Sequence, residues 1–542
     1  MAEQASRPNI LLIMTDQQRY DTLGATGNPL IRTPHLDRLA AQGAVFETAI
    51  TPSAVCVPAR AALMTGHAPS RIHFTNNGGF LADQDDTLPA LLGRAGYCTQ
   101  ALGKMHFKHR PGGLVRPWEA TYGFQHLILS EETRWVRQAQ DLESVSLDDY
   151  DRYLQGLGLW GWDVLSTIGY NQIKPVISPL PEEYGVTAWL GNLTVDWLRN
   201  HRREPFFLFV SFVKPHPPFD PPEEWAGLYD PHQVPAPVRS PRELERENPH
   251  YALERERRRW DLYSAKAERI SRAYYYANIS LVDKYVGQIL DALDELGLRQ
   301  RTYVIFTSDH GDLLGDHWLW GKTFAYDGCT RVPLMVAGPD VAQGARIDGC
   351  VVNTLDVSGT ILARAGLPIP ADRPCRDLLD YLRPEHPRPE YAVTEVGPAG
   401  RRCRALRSRE WLYVHWENGG YEELYDLRSD PQQLENLAHD APKAALRREL
   451  RAALIEWLCI WGDAAWELDA HGDLSAHEFT GPQAQRWLPR PGGVTPAEFT
   501  EPARCWSRED DWWPWRWRAV NGDYRQFLEL AKRLYGGGGE CP

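Results

Sequence analysis

Residues 9–17 read NILLIMTDQ, an apolar run from Ile10 to Met14 that ends at once in Thr15, Asp16 and Gln17. A run that is apolar at every position, not at every second one, is the pattern of a strand buried on both faces. Residues 206–212 (FFLFVSF), 303–307 (YVIFT) and 333–337 (PLMVA) read the same way, so four buried parallel strands are predicted. Helical stretches lie between them at 34–42, 59–64 and 265–296. In the last, Ile270, Ala273, Ala277, Leu281 and Tyr285 recur at helical spacing and Gly297 is placed to end the helix. Strands alternating with helices predict an α/β fold, with a large, mostly parallel sheet sandwiched by helices.

Beyond about residue 380 the pattern changes. Residues 405–415 (ALRSREWLYVH) and 420–427 (GYEELYDL) predict antiparallel strands, and a helix follows over 443–461. From about residue 466 the chain is rich in Trp, Pro and Gly, with WWPWRW at 512–517 and GGGGECP at the end. So many aromatics are poorly suited to water, which predicts an arm packed on the body or on a second subunit. The expected organisation is an α/β domain over 1–380, a C-terminal α+β subdomain over 381–465, and an extension over 466–542 for homo-oligomer contacts.

The 542 residues carry a formal net charge of −13, which argues against nucleic acid as a partner. No run of about eighteen uncharged apolar residues occurs, so no membrane partner is expected. The N-terminal stretch MAEQASRPNILLIM lacks the parts of a secretory signal, which predicts a cytoplasmic location. The nine cysteines are scattered, without CxxC pairs or zinc-ligand spacing, and read as reduced thiols.

Two polar clusters follow predicted strands: Asp16-Gln17 after NILLIM and Asp309-His310 after YVIFT. In an open α/β sheet, ligands collect beyond the carboxyl ends of strands, so the two clusters can converge. Two carboxylates, an amide oxygen and an imidazole together suit a divalent metal. A single Asp after a strand is more often a turn or cap residue; it is the repetition that points to metal. The segment Cys56-Val57-Pro58-Ala59-Arg60 places a cysteine at a helix N-terminus, where free amides favour an anion, with Arg60 one turn further on.

CVPARAALMTG at 56–66 resembles the signature of the type I sulfatases, members of the alkaline phosphatase superfamily. The resemblance extends through NILLIMTDQQRYDTLG, RTPHLDRLAAQG, GKMH at 103–106, KPHPPF at 214–219, SDHGDLLGDHWLWGK at 308–322 and ELYDLRSDPQQLENLA at 423–438. These blocks occur in family order over roughly residues 8–460. The resemblance implies an alkaline-phosphatase-like core. It also implies one divalent metal held by Asp16, Gln17, Asp309, His310 and modified Cys56. Calcium is the family default, and the imidazole admits manganese or zinc.

The resemblance further implies that a formylglycine-generating enzyme oxidises Cys56 to an aldehyde. Its hydrate attacks the sulfur of a small sulfate ester and forms a covalent sulfo-enzyme, and the second hydroxyl then lets that intermediate collapse. In this scheme Asp309 accepts the nucleophile's proton and His106 is the base for collapse. Arg60, Lys104 and Lys322 balance charge, His216 protonates the leaving group, and Asn77 contacts the sulfate. Asn77 also sits in an Asn-Gly turn and can be read as a turn residue. His73, His109 and His317 are read as structural. The competing reading is a phosphonate monoester hydrolase or phosphodiesterase. Such relatives carry Tyr and Thr where this chain has Lys104 and His106, the sulfatase pattern.

Overall fold

In the computed structural model the described residues are 7–77, 86–106, 121–131, 148–160, 173–245, 248–397 and 402–476. The WWPWRW segment, most of the predicted extension and His109 lie outside the described residues. The central sheet has eight strands. In spatial order they are Ala345–Ile347, Ala44–Phe46, Leu334–Ala337, Thr302–Ser308, Asn9–Asp16, Phe206–Pro215, Cys98–Gly103 and His126–Leu129. From Thr302–Ser308 to His126–Leu129 all neighbours are parallel.

The strand at 334–337 is buried as expected but runs antiparallel to both neighbours, which corrects its reading as parallel. An apolar run reports burial on two faces and says nothing of direction. Here the short Asp316–Trp318 and Asp327–Thr330 helical turns and the two-residue Arg331–Val332 strand separate it from Thr302–Ser308. With no long helix to carry the chain back across the sheet, it re-enters at the edge where it left.

Side-chain alternation along each central strand builds two cores. Ile10, Leu12, Met14, Phe207 and Phe209 pack with Val57, Ala61 and Met64 of the Cys56–Thr65 helix on one face. Leu11, Ile13, Leu208 and Val210 pack on the other face with Leu281, Val282 and Ile289 of the Ala265–Glu295 helix. Each such side chain, taken from water, contributes roughly 1.5–3 kcal/mol. All ten residues of the Cys56–Thr65 helix are buried, so its N-terminus is held rigidly above the sheet edge.

The C-terminal region forms a second, antiparallel sheet of Tyr391–Val396, Cys403–Ser408, Trp411–Trp416 and Glu422–Asp426. Leu454 and Leu458 of the Ala444–Trp461 helix pack on one face of it. Its other face meets Val55, Leu319, Phe324 and Tyr326, beside the loop that carries Lys322. The start of the predicted extension is tied into this sheet, because Glu467 is paired to Arg402 and Arg404. Among the described residues no helix is long and apolar enough to cross a membrane, and seven cysteines are free.

Candidate active site

The register of the two central strands pairs Thr15 with Ser308, so the residues that follow, Asp16 and Asp309, leave adjacent strand ends side by side. The Cys56 helix points its N-terminus at the same edge. Ligand atoms of Asp16, Cys56, Asp309 and His310, all buried, lie within 4.8 Å of one another. Lys322 reaches the group from the loop after Asp309 and donates to Cys56 Sγ at 2.7 Å. That loop has positive φ at Leu314, His317, Trp318 and Thr323, backbone that survives only where its surroundings over-determine it.

Arg60 is the keystone of the charge arrangement. Its Nε is 2.8 Å from Asp309 Oδ2 and its terminal nitrogens reach Asp16 Oδ2 at 3.4 Å, the Lys104 carbonyl at 2.9 Å and Ser211 Oγ at 2.7 Å. Lys104 Nζ sits 2.5 Å from Asp16 Oδ2. Burial alone would raise the pKa of Asp16, but Lys104, His216, Lys322 and Arg60 together hold it well below the usual carboxylate range. Asp309 is pinned from three sides, its Oδ1 accepting from the amides of Gln17 at 3.0 Å and His310 at 2.8 Å. Burial, with the charge on Asp16, pushes the Cys56 thiol up to about 12 despite the neighbouring lysines. An unmodified cysteine here is a thiol, a poor nucleophile.

The donor set fits a divalent cation. His310 Nδ1 lies 2.9 Å from the Gly311 carbonyl, which fixes the tautomer and leaves the Nε2 lone pair directed at Cys56 Sγ, 3.1 Å away. Burial, with Lys322 opposing its proton, lowers the His310 pKa to about 4, so the ring is neutral and free to ligate. Gln17 adopts φ +70 and donates its side-chain amide to Asp312 Oδ2 at 2.5 Å. Its Oε1 is then buried without a hydrogen-bond partner, as an oxygen waiting for an ion is. The predicted residues Asp16, Gln17, Cys56, Asp309 and His310 are therefore brought together.

Of the other predicted residues, His216 closes the Phe206–Pro215 strand. It is buried within electrostatic reach of Asp16, Lys322 and Lys104, and burial drives its pKa well down. His216 Nδ1 is 2.6 Å from the Pro217 carbonyl, so Nε2 donates only when the ring is doubly protonated. His106, at φ +55, is buried two residues after Lys104, and its amide is held by Glu131 at 2.8 and 3.0 Å. Asn77 Oδ1 accepts from Val57 N at 3.2 Å, so this side chain satisfies a first-turn amide of the Cys56–Thr65 helix. His317 pairs with Glu243 at 2.7 Å and stacks on Tyr326, and exposed His73 lies 3.5 Å from Asp463, as structural readings require.

Sequence reasoning missed Ser211, Asp312 and Tyr275. Ser211 is the one hydroxyl inside FFLFVSF, a polar interruption that could have marked it. Asp312 stands in the same SDHGD run as the ligands. Tyr275 had no local signal: its hydroxyl donates to the Gln17 carbonyl at 2.6 Å and accepts from Arg19 N at 2.9 Å, from a helix some 260 residues away in sequence.

The family profile described as Sulfatase matches residues 8–367, and one described as the C-terminal part of N-sulphoglucosamine sulphohydrolase matches residues 315–458. The chain is 30% identical over 481 residues to an arylsulfatase of Clostridium perfringens, covering 83% of this chain and 94% of that one. It is also 30% identical over 500 residues to a choline-sulfatase of Rhizobium meliloti, covering 89% and 90%. A phosphonate monoester hydrolase of Agrobacterium radiobacter superposes with a TM-score of 0.69 at 27% identity, covering 87% of this chain and all of that one.

Proposed function

The chain belongs to the sulfatase family and is a sulfuric ester hydrolase, and from that premise we propose that it cleaves sulfate monoesters at Cys56 after that residue has become formylglycine. The observation that carries the proposal is the charge arrangement around Sγ. Three buried or half-buried cations, Arg60, Lys104 and Lys322, face two carboxylates, Asp16 and Asp309, which leaves a surplus of one positive charge before any metal is counted. A monoanionic ester belongs in such a site.

Asp16, Gln17, Asp309, His310 and residue 56 would hold one divalent ion, with calcium favoured by the oxygen majority and manganese or zinc admitted by His310. When bound, that ion supplies the positive charge that lowers the pKa of an attacking hydroxyl. Formylglycine supplies the geminal hydroxyls, one to attack sulfur and one to expel the sulfate. Asp309 takes the proton of the attacking hydroxyl, His106 that of the expelling one. Lys322 and Lys104 hold the sulfate oxygens against the nucleophile, and Asn77, by holding a first-turn amide of the helix, keeps residue 56 in line with them. His216 receives its second proton only when the ester's negative charge has entered, and then delivers it from Nε2 to the leaving oxygen.

A second reading, phosphonate monoester or phosphodiester hydrolysis, is favoured by the match to the Agrobacterium enzyme. Lys104, paired with Asp16, favours sulfate. Mass spectrometry of the Cys56 peptide from the native host, with kcat/KM on p-nitrophenyl sulfate and on a phenyl phosphonate monoester, tests both. Unmodified cysteine with no turnover sinks the proposal, and higher efficiency on the phosphonate selects the second reading. Maturation by a formylglycine-generating enzyme, a cytoplasmic location and homo-oligomerisation through the extension at 466–542 belong to the same proposal. An unchanged number of subunits per particle after deletion of 466–542 would remove the last of these.

A further inference from the structure

We propose that Glu131 is a positioning residue of the reaction: its carboxylate clasps the consecutive amides of Met105 and His106, and so sets where Lys104 and His106 are presented. The inference rests on the reading in which those two side chains serve sulfate transfer.

The Cys98–Gly103 strand loses its ladder at Gly103, and the next residues are held one group at a time. The Gly103 carbonyl accepts from Ser130 N at 3.1 Å, Lys104 N donates to the Ser211 carbonyl at 2.9 Å, and the Lys104 carbonyl accepts from Arg60 at 2.9 Å. The amides of Met105 and His106 then turn to one side. Met105 N is 2.8 Å from Glu131 Oε1, and His106 N is 3.0 Å from Oε1 and 2.8 Å from Oε2. Successive amides facing one way form a concavity that takes an anion, and here the chain's own carboxylate fills it. That shape requires φ +91 at Gly103 and φ +55 at His106, a conformation a histidine keeps only under restraint. A Cβ at Gly103 would stand 2.2 Å from the Ser211 carbonyl, so the turn is possible only with glycine there.

Glu131 is itself anchored. It lies just past the His126–Leu129 strand, and its amide donates to Asp148 Oδ2 at 2.7 Å. Asp148 is the N-cap of the Asp149–Gly156 helix, its Oδ1 accepting from Asp151 N at 2.8 Å. The line of restraint runs from this helix cap through Asp148 and Glu131 to the turn that separates Lys104 from His106. Lys104 ends on Asp16 at 2.5 Å, a distance that tolerates little drift of the turn. Among the described residues Glu131 makes no hydrogen bond to the proposed metal donors or to Cys56; it acts on Lys104 and Arg60 by charge at a distance and on the position of Lys104 and His106 through that turn.

The test uses the full chain, matured and metal-loaded, with Glu131→Ala and Glu131→Gln. The Ala variant is expected to lose about 100-fold in kcat on p-nitrophenyl sulfate, the scale of a misplaced catalytic group. Metal affinity, read by chelator competition, stays as in the parent, and Gln, which retains an acceptor oxygen, recovers part of kcat. Amide exchange of the peptide spanning 104–106 speeds up in Ala, while that of residues 9–16 does not. Unchanged exchange at 104–106 overturns the clasp. Faster exchange with kcat retained, or with metal affinity lost in parallel, overturns the positioning role. If Ala does not fold, Gln carries both measurements. If the parent itself turns over no sulfate ester, the functional reading fails, the positioning role falls with it, and the exchange experiment still judges the clasp.

Discussion

Replacement of Arg60 by methionine isolates the keystone cation while keeping an unbranched stem of similar reach. The guanidinium is fully buried, and the change leaves Asp309 Oδ2, the Lys104 carbonyl and Ser211 Oγ without the donor they share. It also leaves Asp16 and Asp309 facing each other with Lys104 and Lys322 as their nearby lysines. Removing one member of a buried ion pair costs about 3–5 kcal/mol, a large share of the roughly 5–15 kcal/mol that holds a domain folded. The predicted loss is therefore about 3–5 kcal/mol of unfolding free energy, read from urea titration with a chelator present. Excess divalent ion should narrow that deficit, because it places positive charge against the same two carboxylates. On p-nitrophenyl sulfate, kcat should fall by about 10²–10³, as for loss of one preorganised donor. Arg60→Lys should recover charge but not geometry, since one ammonium cannot span Asp309, Ser211 and the Lys104 carbonyl. A methionine variant that unfolds with the parent in chelator, or keeps parental kcat, would refute the reasoning.

His216→Ala should slow alkyl sulfates by about 10²–10⁴ and p-nitrophenyl sulfate far less, because only a poor leaving group needs the proton; equal losses on both would count against the acid role. Asp312→Asn should weaken metal binding by about 10–100-fold, since Asp312 orients the Gln17 amide so that Oε1 faces the site; chelator titration reads this without turnover. Asp356, beside Asn353 N and Arg376 N, has its pKa raised by burial from 3.8 to about 7. Between those two values the folded chain keeps a proton that the unfolded chain releases, so stability is greatest below pH 4 from this group and is lost as pH rises to 7. Asp356→Asn should flatten that slope, which approaches about 1.4 kcal/mol per pH unit, in urea midpoints taken across the window; an unchanged slope would remove Asp356 from the account.

The buried strands, the long helix and the C-terminal antiparallel segment were legible because each is a local pattern. Strand 9–16 and helix 265–295 came out within two residues of expectation. Direction was not legible for Leu334–Ala337, since burial on two faces is common to parallel and antiparallel strands. The convergence of the two Asp-polar pairs was legible because strand ends in an α/β sheet gather at one edge, and each pair announced one such end. Asn77 was half legible: its Asn-Gly setting spoke of a turn, and the turn delivers its amide oxygen to Val57 N.

By itself the sequence determined the layered α/β architecture, the helix that begins at Cys56 and the identity of the charged groups, because periodicity and motif order are properties of neighbouring residues. Only the tertiary structure decided how those groups act on one another. Arg60 bridges Asp16, Asp309 and Ser211 across three elements. Tyr275 and Asp312 aim Gln17, and Glu131 clasps the turn that carries Lys104 and His106. These contacts join residues from 25 to nearly 300 positions apart. They exist because the sheet register and two packed faces leave each buried polar group one place to find its partner, and no local pattern encodes such a meeting.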